Sequence, residues 1–449
     1  MKKARTMVLY CGEAVYPKDW LTRRMQDISS GLAELPLEIV YSDTVLDESD
    51  ARRIASAGCI NGLDLILCVF VSWHITGNVM QILREYPNAP VLVVSASGET
   101  DAGGKLHSPA GPAGITALLP HLRDLGVAHK AIWQKPGSPF PYEGIAAFAN
   151  VARTRQELRH SRIGLIGYAD MGLYSCTYDR SAVSRLLGID VEDHFSYEIG
   201  QMMEAVSADR LAETVAWIRK SVSFENVVSN QTLEKAARLY CALKDKATTR
   251  ELAGISIKCV QGVTKYMGIN PCMAQSLLAT ADLSVICECD AYGLITNVML
   301  SQLSGQPSTF LEHYEFFEDE ILIGTCGFLP FGLSDGKIVA RSTNLGDFFV
   351  GLGNTSKVRP GEMTYARLFW QDTGFSMFIG KGTARPPMKW IELGWEEPSP
   401  DFPSVLLKLD IPVSEYVDKV PGQHIILVHG DWIEQLSELC RLMNIRVVR

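Results

Sequence analysis

The chain has 449 residues, room for roughly three domains at about 100–200 residues each. Hydrophobic residues make up 47% and charged residues 21%, a globular composition with ample core and unlike that of a disordered chain. Lys and Arg number 42 against 51 Asp and Glu, so the formal net charge of −9 does not supply the overall positive field that a non-specific nucleic-acid or anionic-membrane binder needs.

Near the N-terminus the apolar run Met7–Cys11 follows Lys2, Lys3 and Arg5 but is broken by Gly12 and Glu13, so it does not read as a signal peptide. The longest apolar stretch, Leu63–Trp73, is too short for a bilayer. The 11 cysteines show no framework spacing and are expected as reduced thiols in the cytoplasm. Cys287-x-Cys289 has no second pair to complete a closed zinc site.

In chain order, apolar runs at Met7–Cys11, Leu37–Tyr41, Leu65–Val71, Val91–Ser95 and Ala131–Gln134 alternate with amphipathic stretches such as Trp20–Leu32, Asn78–Glu85 and Gly114–Leu125. Short Val/Ile/Leu runs between helices predict a doubly wound parallel sheet over residues 1–155. The loop Ser97–Gly114 is Gly-rich but lacks the phosphate-loop pattern, so it reads as a sharp turn or an anion cradle at a helix start. A second α/β unit over 156–337 has strands at Ile163–Tyr168, Ile255–Val260 and Leu283–Asp290. Its helices are Asp209–Ser221, Thr232–Lys246 and Tyr292–Leu303. From 338 to 449 the strands Lys337–Ser342, Met363–Trp370, Ser376–Ile379, Val405–Leu409 and His424–His429, punctuated by Gly and Pro, predict a mostly antiparallel β domain, sheet or small barrel. A helix over Trp432–Leu442 and a strand at Ile445–Val448 close the chain. The expected class is α/β, with two doubly wound parallel-sheet domains followed by a mostly antiparallel β domain.

The richest segment chemically is Leu283–Gly293, LSVICECDAYG. On a strand, Glu288 and Asp290 share one face at the carboxyl edge of the sheet, where open α/β sheets bind ligands. Two adjacent anions need a cation, a shared proton or strong donors, and Mg or Mn suits oxygen ligands with an imidazole. A simpler account makes one carboxylate a helix cap and pairs the other with an arginine. In PGQHIILVHGDW, His424 and His429 are five apart and face opposite ways on a strand, so at most one serves a given metal. Trp73, in VSWHITG past a strand end, is placed to stack on a sugar or base, or to fill a domain seam.

The order of blocks VSWHITGN, SPAGPAGITALLPHL, RIGLIGYADMGLYSCTYDRSAVSRLLGIDV, CECDAYGLITNVMLSQLSG, TCGFLP, GEMTYARL and GQHIILVHGDWIEQL resembles the L-fucose isomerase and L-arabinose isomerase group over most of the chain. The resemblance implies aldose–ketose interconversion through an enediol, with Mn held by Asp290 and His424. It also implies a sugar substrate, a homo-oligomer (trimer or hexamer) and a tryptophan, here Trp73, reaching the sugar from a neighbouring subunit. The family's upstream glutamate is absent: no glutamate stands between Glu251 and Glu288, and Gln261 and Gln275 are the nearest polar residues. TCGFLP carries Thr325 where relatives often have histidine. Glutamine cannot act as a base, so Glu288 could stand in for the missing glutamate as ligand or as base, and Glu288 or Asp290 is the candidate proton carrier. Trp73, Gln261, Gln275 and Gln423 are the candidate substrate-binding residues. The competing reading is a relative that keeps the fold but only binds sugars or performs another reaction on a sugar-like substrate.

Overall fold

The computed structural model describes residues 2–57, 60–346, 348–388 and 402–449. The chain divides into two compact units between Glu157 and Leu158.

In the first unit, strands β1 (Ala4–Cys11), β2 (Leu37–Val45), β3 (Leu65–Phe70), β4 (Val91–Ser95) and β5 (His129–Trp133) form a parallel sheet in the order β2-β1-β3-β4-β5. Every residue of β3 is buried, as a strand covered on both faces requires. The helix Glu48–Ser56 has no counterpart among the sequence expectations. Its charged sequence buries only Ala51 and Ile54, and the Asp47 carboxylate caps it by accepting from the Ser49 and Asp50 N–H groups. The Gly-rich loop is a turn. Asp101 accepts from the backbone N–H of Gly103 (2.9 Å) and Lys105 (3.0 Å) and bonds the His107 ring (2.9 Å), closing a miniature hairpin.

In the second unit, β6 (Arg162–Ile166), β7 (Asp190–His194), β8 (Leu252–Ile257) and β9 (Ser284–Cys287) make a second parallel sheet, ordered β9-β8-β6-β7. It is followed by β10 (Thr309–Phe316), β11 (Glu320–Gly324), β12 (Gly361–Gln371), β13 (Gly374–Arg385), β14 (Ser404–Leu409) and β15 (His424–His429). These pair antiparallel in the order β12-β15-β10-β11-β14-β13, and β13 pairs back onto β12, closing a six-stranded barrel. The expected α/β class with a mostly antiparallel C-terminal region is the observed one. Two barrel strands, β10 and β11, lie where no strand was expected. The β10 sequence TFLEHYEF carries charge on its outer half, which masks the alternation.

Alternate residues fill the barrel, among them Leu311, Tyr365, Leu407, Ile425 and Leu427. His424 and its cross-strand partner Glu312 therefore lie on the opposite face of β15 and β10. The helix Ala291–Ser304 is buried on almost every side and touches both the parallel sheet (β8, β9) and the barrel (β12, β15). It ties the two layers together: its Thr296 hydroxyl accepts the Leu368 N–H at 2.9 Å.

Candidate active site

The acidic segment departs from the expected strand. β9 ends at Cys287, and the next two residues turn left-handed, with φ +67° at Glu288 and +52° at Cys289. Neither is glycine, and each such position costs about 1–3 kcal/mol unless the surroundings enforce it. Here they do. The Glu288 carbonyl accepts the Asp170 N–H (3.1 Å), and the Cys289 thiol donates to the Ile166 carbonyl (3.1 Å). Asp170, fully buried, accepts in turn from Val260 N–H (2.7 Å) and Gln261 N–H (3.0 Å). The shared-face argument for Glu288 and Asp290 thus fails as geometry, because the strand stops before both.

The turn nevertheless delivers both carboxylates to one imidazole. His424 is fully buried. Its Nδ1 donates to Asp290 Oδ2 at 2.9 Å, and its Nε2 lies 3.1 Å from Glu288 Oε2. That second contact is close enough for an ion pair but misaligned for a hydrogen bond, so Glu288 Oε2 and His424 Nε2 are both buried without a hydrogen-bond partner. Asp290 is otherwise spent. Its Oδ1 accepts the Gly293 N–H (2.9 Å) as the cap of the helix Ala291–Ser304, and its Oδ2 also accepts from Arg367 Nη1. The cap and the arginine pair weighed from sequence are both present, and one carboxylate makes both. Arg367, itself buried, donates through Nη2 to the Ser175 carbonyl at 2.8 Å.

Electrostatics follow from this packing. Burial pushes the Asp290 carboxyl up, but the Arg367 charge and the His424 and Arg367 hydrogen bonds outweigh it and hold it well below the usual carboxylate range. Burial disfavours the His424 imidazolium, yet the Asp290 hydrogen bond, the Cys176 contact and the Glu288 charge 3.1 Å away drive its pKa well above the ordinary value. His429, by contrast, is pushed down to about 4 by burial and the nearby Arg359.

Two ligand-like sets exist among the described residues: Glu288, Glu312 and His424, and Cys176, Asp290 and His424. The first offers two carboxylates and an imidazole, the donors a hard divalent cation takes, and its two orphaned polar atoms face one another. The residues present therefore fit such a cation.

The remaining candidates are dispersed. Gln423 reaches Glu312 Oε2 at 3.4 Å. The Gln275 amide is consumed by β9, donating to the Ile286 carbonyl (2.8 Å) and accepting the Cys287 thiol (3.3 Å). The Gln261 side chain is exposed. Thr325 closes its own turn with Phe328. Trp73 stands on the first unit, 41% exposed, with its backbone N–H donating to the Pro109 carbonyl. Cys287 and Cys289 bond different partners. Sequence reasoning missed Arg367 and Glu312, since each reaches the cluster only through barrel closure. It also missed a cavity of about 390 Å³ beside Arg367, walled by Tyr174, Tyr178, Tyr292, Phe369 and Trp370. Aromatic faces of this kind suit the apolar face of a sugar ring.

Gly293 is required at its position: an added Cβ would stand 2.6 Å from Arg367 Nη1 and 2.7 Å from Asp290 Oδ2. Gly293→Ala is expected to displace that pair and lower stability by about 1–3 kcal/mol, read by chemical denaturation. An unchanged midpoint would show that the pair tolerates displacement.

No family model matches the chain. It is 22% identical over 399 residues to the sulfoquinovose isomerases of Priestia aryabhattai and Priestia megaterium (strain ATCC 12872 / QMB1551), covering 86% of this chain and 85% of each relative. It is 21% identical over 380 residues to that of Alkalicoccus urumqiensis, covering 83% of both. Among the described residues no helix is long and apolar enough to cross a membrane. The chain is thus similar, along nearly its whole length, to proteins named as isomerases of a sugar.

Proposed function

We propose that this protein is a sugar isomerase that interconverts an aldose and a ketose through an enediol. The observation that carries the reading is the buried array Glu288–His424–Asp290–Arg367, built where the second parallel sheet meets the barrel. Similarity to the sulfoquinovose isomerases over most of the chain supports it.

The reaction moves one proton from C2 of the aldose to C1 and the hydroxyl proton of O2 to O1. Glu288 is the carrier: its carboxylate is buried beside His424, and of its two oxygens one can take the proton while the other faces a cation. Asp290 holds His424 through Nδ1, and Arg367 holds Asp290. A bound Mn or Mg would polarise the sugar oxygens and stabilise the developing negative charge. The aromatic cavity beside Arg367 offers faces that orient the sugar.

Sulfoquinovose and a panel of neutral aldoses, incubated with the protein in D2O with and without Mn2+, test the reading. The expected result is a ketose product with deuterium incorporated next to the carbonyl, seen by NMR. No product and no exchange with any sugar, alongside ligand-induced thermal shifts, would favour a protein that only binds sugars.

A further inference from the structure

We propose that the cation site is built from Glu288, Glu312 and Nε2 of His424, and that Asp290 acts on it only as a positioning residue, through Nδ1 of His424. The inference rests on reading this cluster as the place of sugar chemistry, and it assigns Glu312 a role that the acidic segment alone does not suggest.

Three observations converge. First, the Asp290 oxygens are committed to the Gly293 N–H, to Arg367 and to the His424 Nδ1–H. A carboxylate already neutralised by a buried guanidinium has little left to offer a cation. Second, Glu288 Oε2 and the outer ring nitrogen of His424 are buried, 3.1 Å apart, and neither has a hydrogen-bond partner. Buried polar atoms without partners point to a missing ion or ligand. Third, Glu312 on β10 pairs in register with His424 on β15, which sets both side chains on one face of the sheet. One carboxylate oxygen of Glu312 and the ligand atoms of Glu288 and His424 all lie within 4.8 Å of one another. The Gln423 amide lies 3.4 Å from Glu312 Oε2 and steadies it, while the Phe310 ring packs 4.2 Å from the His424 ring.

The rival set, Cys176 with Asp290 and His424, must use Nδ1, which is already bonded to Asp290. It would also suit a softer ion than Mn2+. The favoured arrangement is instead the carboxylate–histidine–metal pattern, in which the carboxylate on the inner nitrogen orients the ring and raises its basicity.

The test uses the full chain stripped with EDTA and titrated with Mn2+, free ion being followed by EPR. Wild type is expected to bind one ion per cluster. Glu312→Gln and Glu288→Gln are each expected to weaken binding about tenfold or more, and Cys176→Ser to leave it unchanged. Circular dichroism verifies folding, and two independent glutamate variants guard against failure of either. A crystal grown with Mn2+ should show an anomalous peak between Glu288, Glu312 and His424 Nε2. Absence of Mn2+ binding, Glu312→Gln with wild-type affinity, or a peak between Cys176 and Asp290 would overturn the proposal. Mn2+ binding as described with no sugar turned over would sink the isomerase reading instead. Turnover with no cation bound would sink the site and spare that reading.

Discussion

Asp290→Asn is expected to destabilise the second unit by about 3–5 kcal/mol, read from hydrogen exchange of the barrel amides or from chemical denaturation. Asparagine can keep the cap through its amide oxygen, but its NH2 then stands where Oδ2 accepted from Arg367 and His424, so the loss combines the missing charge with the missing acceptor. Arg367 is 1% exposed, and among the described residues its counter-charge is Asp290. With that charge gone, the guanidinium stays buried with one hydrogen bond to the Ser175 carbonyl. Pairing Asp290→Asn with Arg367→Leu removes both charges and keeps the cap, and the double variant should recover part of the loss, since no guanidinium is then left buried without its counter-charge. A single variant within about 1 kcal/mol of wild type would mean that the pair is not what holds sheet, helix and barrel together.

The second large effect is chemical. Glu288→Gln should lower isomerisation by about 10²–10⁴-fold while leaving the fold intact, because an amide of the same shape cannot take and return a proton. Rates are to be compared at Mn2+ concentrations high enough to saturate both proteins, so that weaker cation binding does not account for the difference. Deuterium exchange at the carbon next to the carbonyl should fall in parallel with turnover, which ties the loss to the proton-transfer step. A variant within tenfold of wild type would transfer the role of base to another group, such as Glu312, the other carboxylate of the cation set.

Much of this architecture could be read along the chain. The runs LILCVF and VLVVS are apolar throughout because helices cover both faces of the sheet, and a local pattern of that kind needs no tertiary information. The odd spacing of His424 and His429 separates a fully buried imidazole from one beside Arg359, as strand alternation requires. The segment CECD drew attention to Glu288 and Asp290, and both reach His424. They do so by a strained turn rather than by a shared strand face, and no periodicity encodes that turn, because long-range contacts from Asp170 and Ile166 impose it.

The linear order of residues thus determined the layered α/β class and the antiparallel end of the chain, while the pairing of Asp290 with His424 was implied by the family resemblance alone. Only the folded molecule decided which groups surround that pair. Arg367 stands 77 residues from Asp290 in the chain, and Glu312 is brought to His424 by barrel pairing across more than a hundred. Such partners are chosen by strand register and by the need to neutralise a charge withdrawn from water, and both are settled only when distant segments close on one another.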